Sequence, residues 1–260
     1  MIKGLYTAGS GMMLQLVRQD AVANNLANVS TSGYKKDIVV STSFPGMLMS
    51  RLGEKDPGVN APYEIIGPLP TGASMSGVFT DHAQGNIQKT DSPLDAAIFG
   101  EGYYVVNTPQ GERFTRDGQM SINSENVLVN KQGLPYLDEN DQTIVINREI
   151  NRDYRGDISI SNRGEIYLDN ERITRLKVVN FEDPGTLRKI GNNLMTAGNP
   201  YTIMDRPEIK QGFMETSNVN PISEMVSLIS ITRAYEAMQK MVQAEDDAMG
   251  TVINSVGSVN

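Results

Sequence analysis

Mostly apolar residues at both ends of the chain recur in alternating steps of four and three. The N-terminal series is Leu5, Gly9, Met12, Leu16, Gln19, Ala23 and Leu26, and the C-terminal series is Leu228, Ile231, Tyr235, Met238, Val242, Glu245, Met249 and Val252. This spacing places side chains along one seam of an α-helix. Both ends are therefore predicted to be helices that pack against each other and against copies in neighbouring molecules.

The limits of the two helices follow from their flanking residues. The first helix is expected to begin between residues 2 and 7 and to end near Asn28, before Gly33. Asn220 is a suitable N-cap for the second, and Pro221 suits the first helical position. No proline follows Pro221, and a helix continuing to Asn254 would be about 50 Å long at 1.5 Å per residue. Such a length is typical of a coiled-coil arm.

The middle of the chain predicts β-structure. Strand-forming segments alternate with turn signals at roughly ten-residue spacing, which favours an antiparallel sandwich or irregular barrel. The Asp117-Gly118 pair predicts a hairpin turn. Residues 183–212 are expected to be loop-rich. The expected strands are residues 96–99, 103–106, 127–129, 134–137, 144–146, 158–160, 166–168, 176–181 and 211–215.

The predicted fold class is α+β, with long terminal helices paired as a coiled-coil arm and a central, mostly antiparallel β domain. The expected division is an N-terminal arm helix over residues 1–33, a connector over 34–77, a β domain over 78–215 and a C-terminal arm helix over 216–260. Residues 53–77 of the connector contain five glycines and four prolines and predict an extended segment with little structure of its own. Residues 44–52 within it form a short apolar run that could be helical.

Composition excludes several classes of function. The net charge of −8, with no cluster of basic residues, disfavours a nucleic-acid partner. The chain has no cysteine, and His82 is its one histidine, which excludes thiolate catalysis, disulfides and His-rich metal sites. No apolar run reaches the roughly 18 residues that membrane insertion needs. We predict no enzymatic activity and no catalytic, cofactor or metal site.

Two polar features require separate interpretation. Residues 138–142 resemble the first half of a calcium loop, but Thr143 occupies the glycine position, so a solvated turn is expected. His82 is interpreted as a surface residue. The acidic run at residues 245–247 is either a solvated face or a partner for Arg18, Lys35 or Lys36 of a neighbouring subunit.

Three ordered segments resemble one known family. Residues 23–35, Ala-Asn-Asn-Leu-Ala-Asn-Val-Ser-Thr-Ser-Gly-Tyr-Lys, closely resemble the N-terminal signature of bacterial flagellar rod and hook proteins. Residues 217–220, 224–226 and 233–236 resemble the C-terminal signature. Residues 93–95, 100–106 and 114–118 resemble the start of the family's β domain. Together these segments cover both ends and the middle of the chain.

The resemblance implies a structural subunit of the flagellar basal-body rod. Such proteins polymerise into a helical drive shaft that crosses the periplasm, with terminal helices inside and β domains outside. The implied partners are copies of the chain, other rod proteins, the flagellar export apparatus and surrounding ring proteins. Export without a cleaved signal peptide agrees with the absence of a secretory signal at the N-terminus. The tail after Glu245 favours a proximal over a distal rod subunit, and a secreted oligomeric adhesin or binding protein remains the alternative.

The expected subunit interface lies on the arm. Its residues are Leu5, Met12, Leu16, Ala23, Asn24, Asn25, Leu26, Asn28, Leu228, Ile231, Tyr235, Met238, Val242 and Met249. The three asparagines are expected to cap the first helix or to form hydrogen bonds across subunits. Because the arm lacks partners in a free subunit, proteolysis of the monomer is expected to leave roughly residues 70–215.

Overall fold

The computed structural model describes residues 2–51, 64–69, 71–146 and 158–257. The chain divides into two compact units, each built from separate stretches of sequence. The helical unit comprises Met1–Leu26, Asp37–Phe79 and Pro221–Asn260, and the β unit comprises Ala27–Lys36 and Thr80–Asn220. Both ends of the chain therefore belong to the helical unit.

Two long helices form most of the helical unit. Helix α1 spans Ile2–Ala27 and helix α2 spans Pro221–Gly257, which confirms the helices predicted at the two ends. Proline suits the start of α2 because its fixed φ is helical and the N–H that it lacks would have no partner in the first turn. Glu224 lies in that first turn, where the helix dipole favours a carboxylate.

The two helices run antiparallel in a single register. A Cβ at Gly4 or Gly11 would collide with a side chain of α2, and the Asn25 amide lies 3.4 Å from a carboxylate of α2. The contacts are Gly4 with Glu245, Gly11 with Met238, and Asn25 with Glu224. From one contact to the next, the residue number on α1 rises by seven and then by fourteen, and the residue number on α2 falls by the same amounts.

Four strands lie between the two sequence stretches of the β unit or at their edge: β1 (Asp37–Ser43), β2 (Met47–Arg51), β3 (Glu64–Leu69) and β4 (Ala73–Thr80). Strand β1 pairs with β4, and β2 pairs antiparallel with β3. The helix considered for residues 44–52 is wrong, and the expectation of little structure over residues 53–77 is wrong where β3 and β4 lie. The glycines and prolines obscured strands whose partners are distant in sequence. Residues 52–63 of this stretch lie outside the described residues.

The β unit contains a six-stranded sheet and several smaller sheets, and its strand pairs are antiparallel. Together with the helices, this confirms the α+β fold class. Its strands are β5 (Ile87–Lys89), β6 (Ala96–Phe99), β7 (Tyr103–Thr108), β8 (Gly111–Thr115), β9 (Ser121–Ile122), β10 (Leu128–Val129), β11 (Ile158–Ile160), β12 (Glu165–Leu168), β13 (Glu171–Arg175), β14 (Val178–Asn180), β15 (Arg188–Gly191), β16 (Leu194–Thr196), β17 (Thr202–Ile203), β18 (Glu208–Gln211) and β19 (Phe213–Glu215). The six-stranded sheet has the order β15-β16-β8-β7-β14-β17.

Strand β7 lies between two hydrophobic clusters. Tyr104 and Val106 belong to the larger cluster, whereas Tyr103 and Val105 belong to the smaller one. Because successive side chains of a strand point to opposite faces, burial of all four shows that β7 is covered on both faces. This explains why residues 103–106 form a continuous apolar run instead of an alternating one.

One sequence prediction for the β unit is wrong, and another is incomplete. Asp117-Gly118 is not a hairpin turn: β8 pairs with the preceding β7, and Gly118 is needed because a Cβ there would collide with the Ala96 carbonyl oxygen. Residues 183–212, predicted to be loop-rich, contain four short strands, β15 to β18. The domain boundaries at residues 33, 77 and 215 stay a prediction.

Candidate functional site

Five of the residues predicted for the arm interface line one groove of the helical unit: Leu5, Met12, Leu16, Tyr235 and Val242. Asn28 lies in the β unit instead. On α2 the predicted residues are half-buried, whereas most residues between them are exposed. The half-buried set is Leu228, Ile231, Tyr235, Met238, Val242 and Met249. On α1, Gly4 and Gly11, each one residue before a member of the predicted series, also approach α2, as does the predicted residue Asn25. The spacing of these three positions is a multiple of seven.

The residues of the predicted α1 series lie beside Gly4, Gly11 and Asn25, and several of them are exposed to solvent. Leu5, Met12 and Leu26 are half-buried, while Leu16, Ala23 and Asn24 are exposed. Leu5, Tyr6, Gly9, Met12, Met13 and Leu16 form one wall of an apolar groove of about 910 Å³. Phe44, Thr71, Tyr235 and Val242 form the remainder together with Ser10. We call this surface the arm groove; none of its lining residues is charged.

The predicted asparagines make contacts within the chain. Asn25 is 2% exposed, and its amide accepts a hydrogen bond from the Asp37 backbone N–H and donates one to the Asp37 carbonyl, both at 2.9 Å. The side-chain oxygen of Asn28 accepts a hydrogen bond from the Thr31 hydroxyl at 3.2 Å. Asn25 thereby fixes the start of β1 against α1, a role that the sequence alone did not indicate.

A buried charge cluster lies in the β unit, where three of the sequence signatures meet. The Lys35 ammonium donates to the Glu215 carboxylate at 2.6 Å, and the Arg116 guanidinium lies 3.5 Å from its other oxygen. The backbone N–H of Gly85 also donates to this carboxylate, at 2.8 Å. Lys35, Glu215 and Arg116 are 0%, 1% and 5% exposed. A buried carboxylate is stable here because two cations and a backbone N–H satisfy it.

Backbone contacts surround the same cluster. The Gly33 N–H donates to the Glu215 carbonyl at 2.8 Å, and the Ser32 hydroxyl donates to it at 3.2 Å. Gly33 has φ +67°, and a Cβ there would lie 2.6 Å from the Arg116 backbone carbon. The Asn218 side chain accepts from the Lys36 N–H at 2.7 Å. The segment that follows α1 and the segment that precedes α2 are thus bonded side by side; we call this set of contacts the junction.

The junction changes two interpretations made from the sequence. Lys35 forms its ion pair within its own chain, so its proposed pairing with the acidic run of a neighbouring subunit is wrong. Burial, the dominant effect, lowers the pKa of Lys35 despite the nearby Glu215 carboxylate. His82 is half-buried instead of exposed, and its Nδ1 lies 2.8 Å from the Tyr103 hydroxyl. Burial and then the charges of Lys35 and Arg116 lower the pKa of His82.

Sequence reasoning missed Glu215 and Arg116 as functional residues. Both lie beside or within segments that resemble family signatures, but their pairing with Lys35 joins positions far apart in the chain. Pairing of this kind cannot be read from spacing within one segment. The one signal in the sequence was the presence of a charged residue in or beside each of three signature segments.

Apolar side chains are distributed unevenly between the two units. Among the described residues, 16 of the 20 exposed large hydrophobic side chains belong to the helical unit. Of the 30 buried hydrophobic residues, Ala8 and Leu14 are the two from that unit. Extended apolar surface of this kind is a property of interaction sites. The helical unit is therefore the part of the chain suited to contact other proteins.

Two other kinds of site are absent from the described residues. No group of three or more His, Cys, Asp or Glu side chains is placed to hold a metal ion in this part of the chain. The turn at residues 138–142 is closed by its own Asp138, whose carboxylate accepts from the N–H groups of Asn140 and Gln142 at 2.9 and 2.8 Å. Neither α1 nor α2 has an apolar stretch long enough to cross a membrane.

Family models match three parts of the chain, in the same places as the sequence signatures. The model "Flagella basal body rod protein" matches residues 5–35, "Flagellar hook protein FlgE/F/G D1 domain" matches residues 97–168, and "Flagellar basal body rod FlgEFG protein C-terminal" matches residues 210–255. These matches cover α1, much of the β unit and α2. They define the class of the protein as that of the flagellar rod and hook proteins.

Full-length relatives narrow this class. The chain is 32% identical to "Flagellar basal-body rod protein FlgF" of Caulobacter vibrioides, covering 100% of both chains. It is 33% identical to "Flagellar basal-body rod protein FlgG" of Buchnera aphidicola subsp. Schizaphis graminum, covering 96% of this chain and 98% of the relative. It is 31% identical to "Flagellar hook-basal body complex protein FlhO" of Bacillus subtilis, with 100% of each covered. The chain belongs to the flagellar basal-body rod protein family.

Proposed function

We propose that this chain is a structural subunit of the flagellar basal-body rod, polymerising into the helical shaft that crosses the periplasm and transmits torque. The observation that carries this proposal is the helical unit, which contains 16 of the 20 exposed large apolar side chains of the described residues and two of the 30 buried hydrophobic ones. Such a unit gains stability when neighbouring copies cover it. Its partners would be copies of the chain and other rod proteins, with the export apparatus and surrounding ring proteins as further contacts.

The arm is proposed to be an antiparallel coiled coil of α1 and α2. The heptad steps between Gly4, Gly11 and Asn25 and their partners on α2 support this arrangement. Residues 1–33 and 216–260 would act as the arm, with its interface formed by the sequence-predicted residues that line the arm groove or flank it. The exposed members Leu16, Ala23 and Asn24 would then contact the next subunit.

The junction is proposed to hold the arm segments in a fixed relation during torque transmission. A single surface contact is worth only about 1 kcal/mol, so a load-bearing shaft needs many contacts acting together. In the junction, an ion pair and several backbone hydrogen bonds act on residues 32–36 at once. The tail after Glu245 supports the proximal segment of the rod, with the distal segment as the alternative.

A charge placed in the arm groove tests the proposal. Met13 lines the groove and is 71% exposed, so Met13→Glu should leave the monomer folded while placing a charge where an apolar neighbour would pack. Basal bodies purified from cells that produce only this variant should lack the rod segment, and the cells should not swim. Ile203→Glu is the matched control, since Ile203 is an exposed apolar residue of the β unit. Normal rods with Met13→Glu would contradict the proposal.

A further inference from the structure

The antiparallel register carries one end of α2 past the start of α1. Helix α2 has 37 residues and α1 has 26. Because Gly4 is opposite Glu245, the first residue of α1, Ile2, lies at the level of Asp247. The last residues of α2, 248–257, therefore extend beyond the start of α1 by about 15 Å at 1.5 Å per residue. We call this segment the overhang.

The overhang is chemically unlike the helix before it. Residues 245–247 are all acidic, whereas residues 248–257 contain no charged side chain. Val252 and Ile253 are 46% and 69% exposed. A helix end that combines exposed β-branched apolar residues with no charge is poorly suited to water. Its composition is that of a surface which another protein covers.

The arm groove has matching chemistry. Its lining is apolar and uncharged, and it is open enough that Met13 and Leu16 are 71% and 46% exposed. An uncharged helix can enter such a groove without leaving a buried charge unpaired, whereas a segment with acidic or basic side chains would leave one. The second exposed apolar stretch of α2, at Ile222, Val226 and Ile229, is interrupted by Glu224 and followed by Arg233. Of these two apolar stretches of α2, the overhang is therefore the better match to the groove.

A chain cannot place its overhang in its own groove. Val242 of α2 forms part of the groove wall, and Val252 lies ten residues further along the same helix. Ten helical residues span about 15 Å, directed away from the groove. The occupant must come from a second copy.

We propose that the overhang of one copy packs into the arm groove of the next, an inference that rests on the proposed function and names the partner of the groove. Each copy presents one overhang and one groove, so the contact joins two different surfaces. Such heterologous contacts produce an open helical assembly when the rotation between successive copies does not close into a ring. The overhang would thus set the direction in which copies add to one another.

Cysteine cross-linking tests this contact, because the chain has no cysteine of its own. Met13→Cys and Ile253→Cys would be produced together in flagellated cells, and isolated basal bodies would be treated with a mild oxidant that converts two thiols into one disulfide. A disulfide forms only when the two Cβ atoms come within about 4.5 Å. We expect a covalent dimer that contains one of each variant, and a ladder of multimers from the double variant. Ile203→Cys paired with Ile253→Cys is the control and should give no dimer.

The outcomes separate this proposal from the one on which it rests. If rods form and Met13→Cys cross-links to itself or to Ile222→Cys instead, the overhang assignment is wrong and the proposed function stands. Normal rods that give no Met13–Ile253 dimer would also contradict the overhang assignment and leave the proposed function standing. If the wild-type chain is absent from basal bodies altogether, both proposals fail.

Discussion

At the scale of single residues, the junction is where charge determines structure. Lys35, Arg116 and Glu215 are buried together, and one carboxylate is in contact with two cations. Buried ion pairs contribute little relative to a well-packed apolar core, but losing one partner is costly because the remaining charge stays buried. Glu215 is therefore the residue whose substitution should have the largest effect.

Glu215→Gln should lower the free energy of unfolding of the β unit by about 3–5 kcal/mol, because the Lys35 and Arg116 side chains would lose their carboxylate. Urea unfolding followed by circular dichroism would measure the change. Glu208→Gln is the matched control: Glu208 is exposed and lies 3.9 Å from Lys210, so its loss should change the free energy by less than about 0.5 kcal/mol. Equal effects of the two variants would contradict the role assigned to the cluster.

A second residue-scale prediction concerns Gly118. The Ala96 N–H donates to the Gly118 carbonyl at 2.9 Å, and a Cβ on Gly118 would collide with the Ala96 carbonyl oxygen. Gly118→Ala should destabilise the β unit by about 1–3 kcal/mol, since backbone has to move to make room. Gly198→Ala is the control because a Cβ added to Gly198 would meet no atom within 4 Å. Equal urea midpoints for the two variants would show that the close approach of Gly118 to the Ala96 carbonyl oxygen does not affect stability.

At the scale of secondary-structure elements, the arm shows what periodicity can and cannot predict. Steps of four and three on α1 predicted a helix and a packed seam, and Leu5, Met12 and Leu16 of that series share a groove with Tyr235 and Val242 of α2. Hydrophobic spacing marks the stripe with the largest side chains. It gave no indication that Gly4 and Gly11, which lie beside this stripe, also approach α2 closely.

Strand β7 gives an element-scale prediction about pH. Its Tyr103 and Tyr104 lie on opposite faces of the sheet, and burial raises the pKa of Tyr103 from 10.0 to about 12 and that of Tyr104 further. A raised pKa in the folded state means that the stabilisation is complete below pH 10 and is lost as the pH rises through 12. The free energy of unfolding should fall over this range by up to about 1.4 kcal/mol per pH unit for each tyrosine.

Urea unfolding at pH 9, 10 and 11 would measure this dependence. Tyr104→Phe removes one of the titrating hydroxyls, along with the hydrogen bond that it donates to the Ala96 carbonyl at 2.9 Å. The variant should be less stable at pH 9 by about 1 kcal/mol and should lose stability less steeply above pH 10. An unchanged slope would show that Tyr104 does not titrate with unfolding.

At the scale of the whole molecule, the sequence predicted the fold class and the terminal helices because long periodic segments and caps are local signals. It did not predict β1 to β4 or the junction, because both depend on pairing between residues far apart in the chain. Strand β1 pairs with β4, and Lys35 pairs with Glu215, across intervals that no local pattern spans. The same limit explains why the Asp117-Gly118 pair was misread as a turn.

Limited proteolysis of the dilute monomer should remove the helical unit and leave the β unit. Its protected fragment should begin near Thr80 and end near Asn220, and a peptide containing residues 32–36 should remain bound through the junction. In assembled rods the same sites should resist cleavage because neighbours cover the arm. Mass spectrometry of the fragments would identify their ends. A monomer as resistant as the rod would contradict the proposal that assembly stabilises the arm.

The antiparallel register also has a practical consequence for labelling. Because Ile2 lies level with Asp247, α1 begins at the same end of the helix pair at which α2 ends, so a fluorescent reporter attached before α1 and one attached after α2 would both be attached at that end. Changing the fusion from one terminus to the other should therefore not move the reporter away from that end. Asn140 is exposed in a turn of the β unit, so an insertion there offers a position for imaging that leaves both helices unmodified.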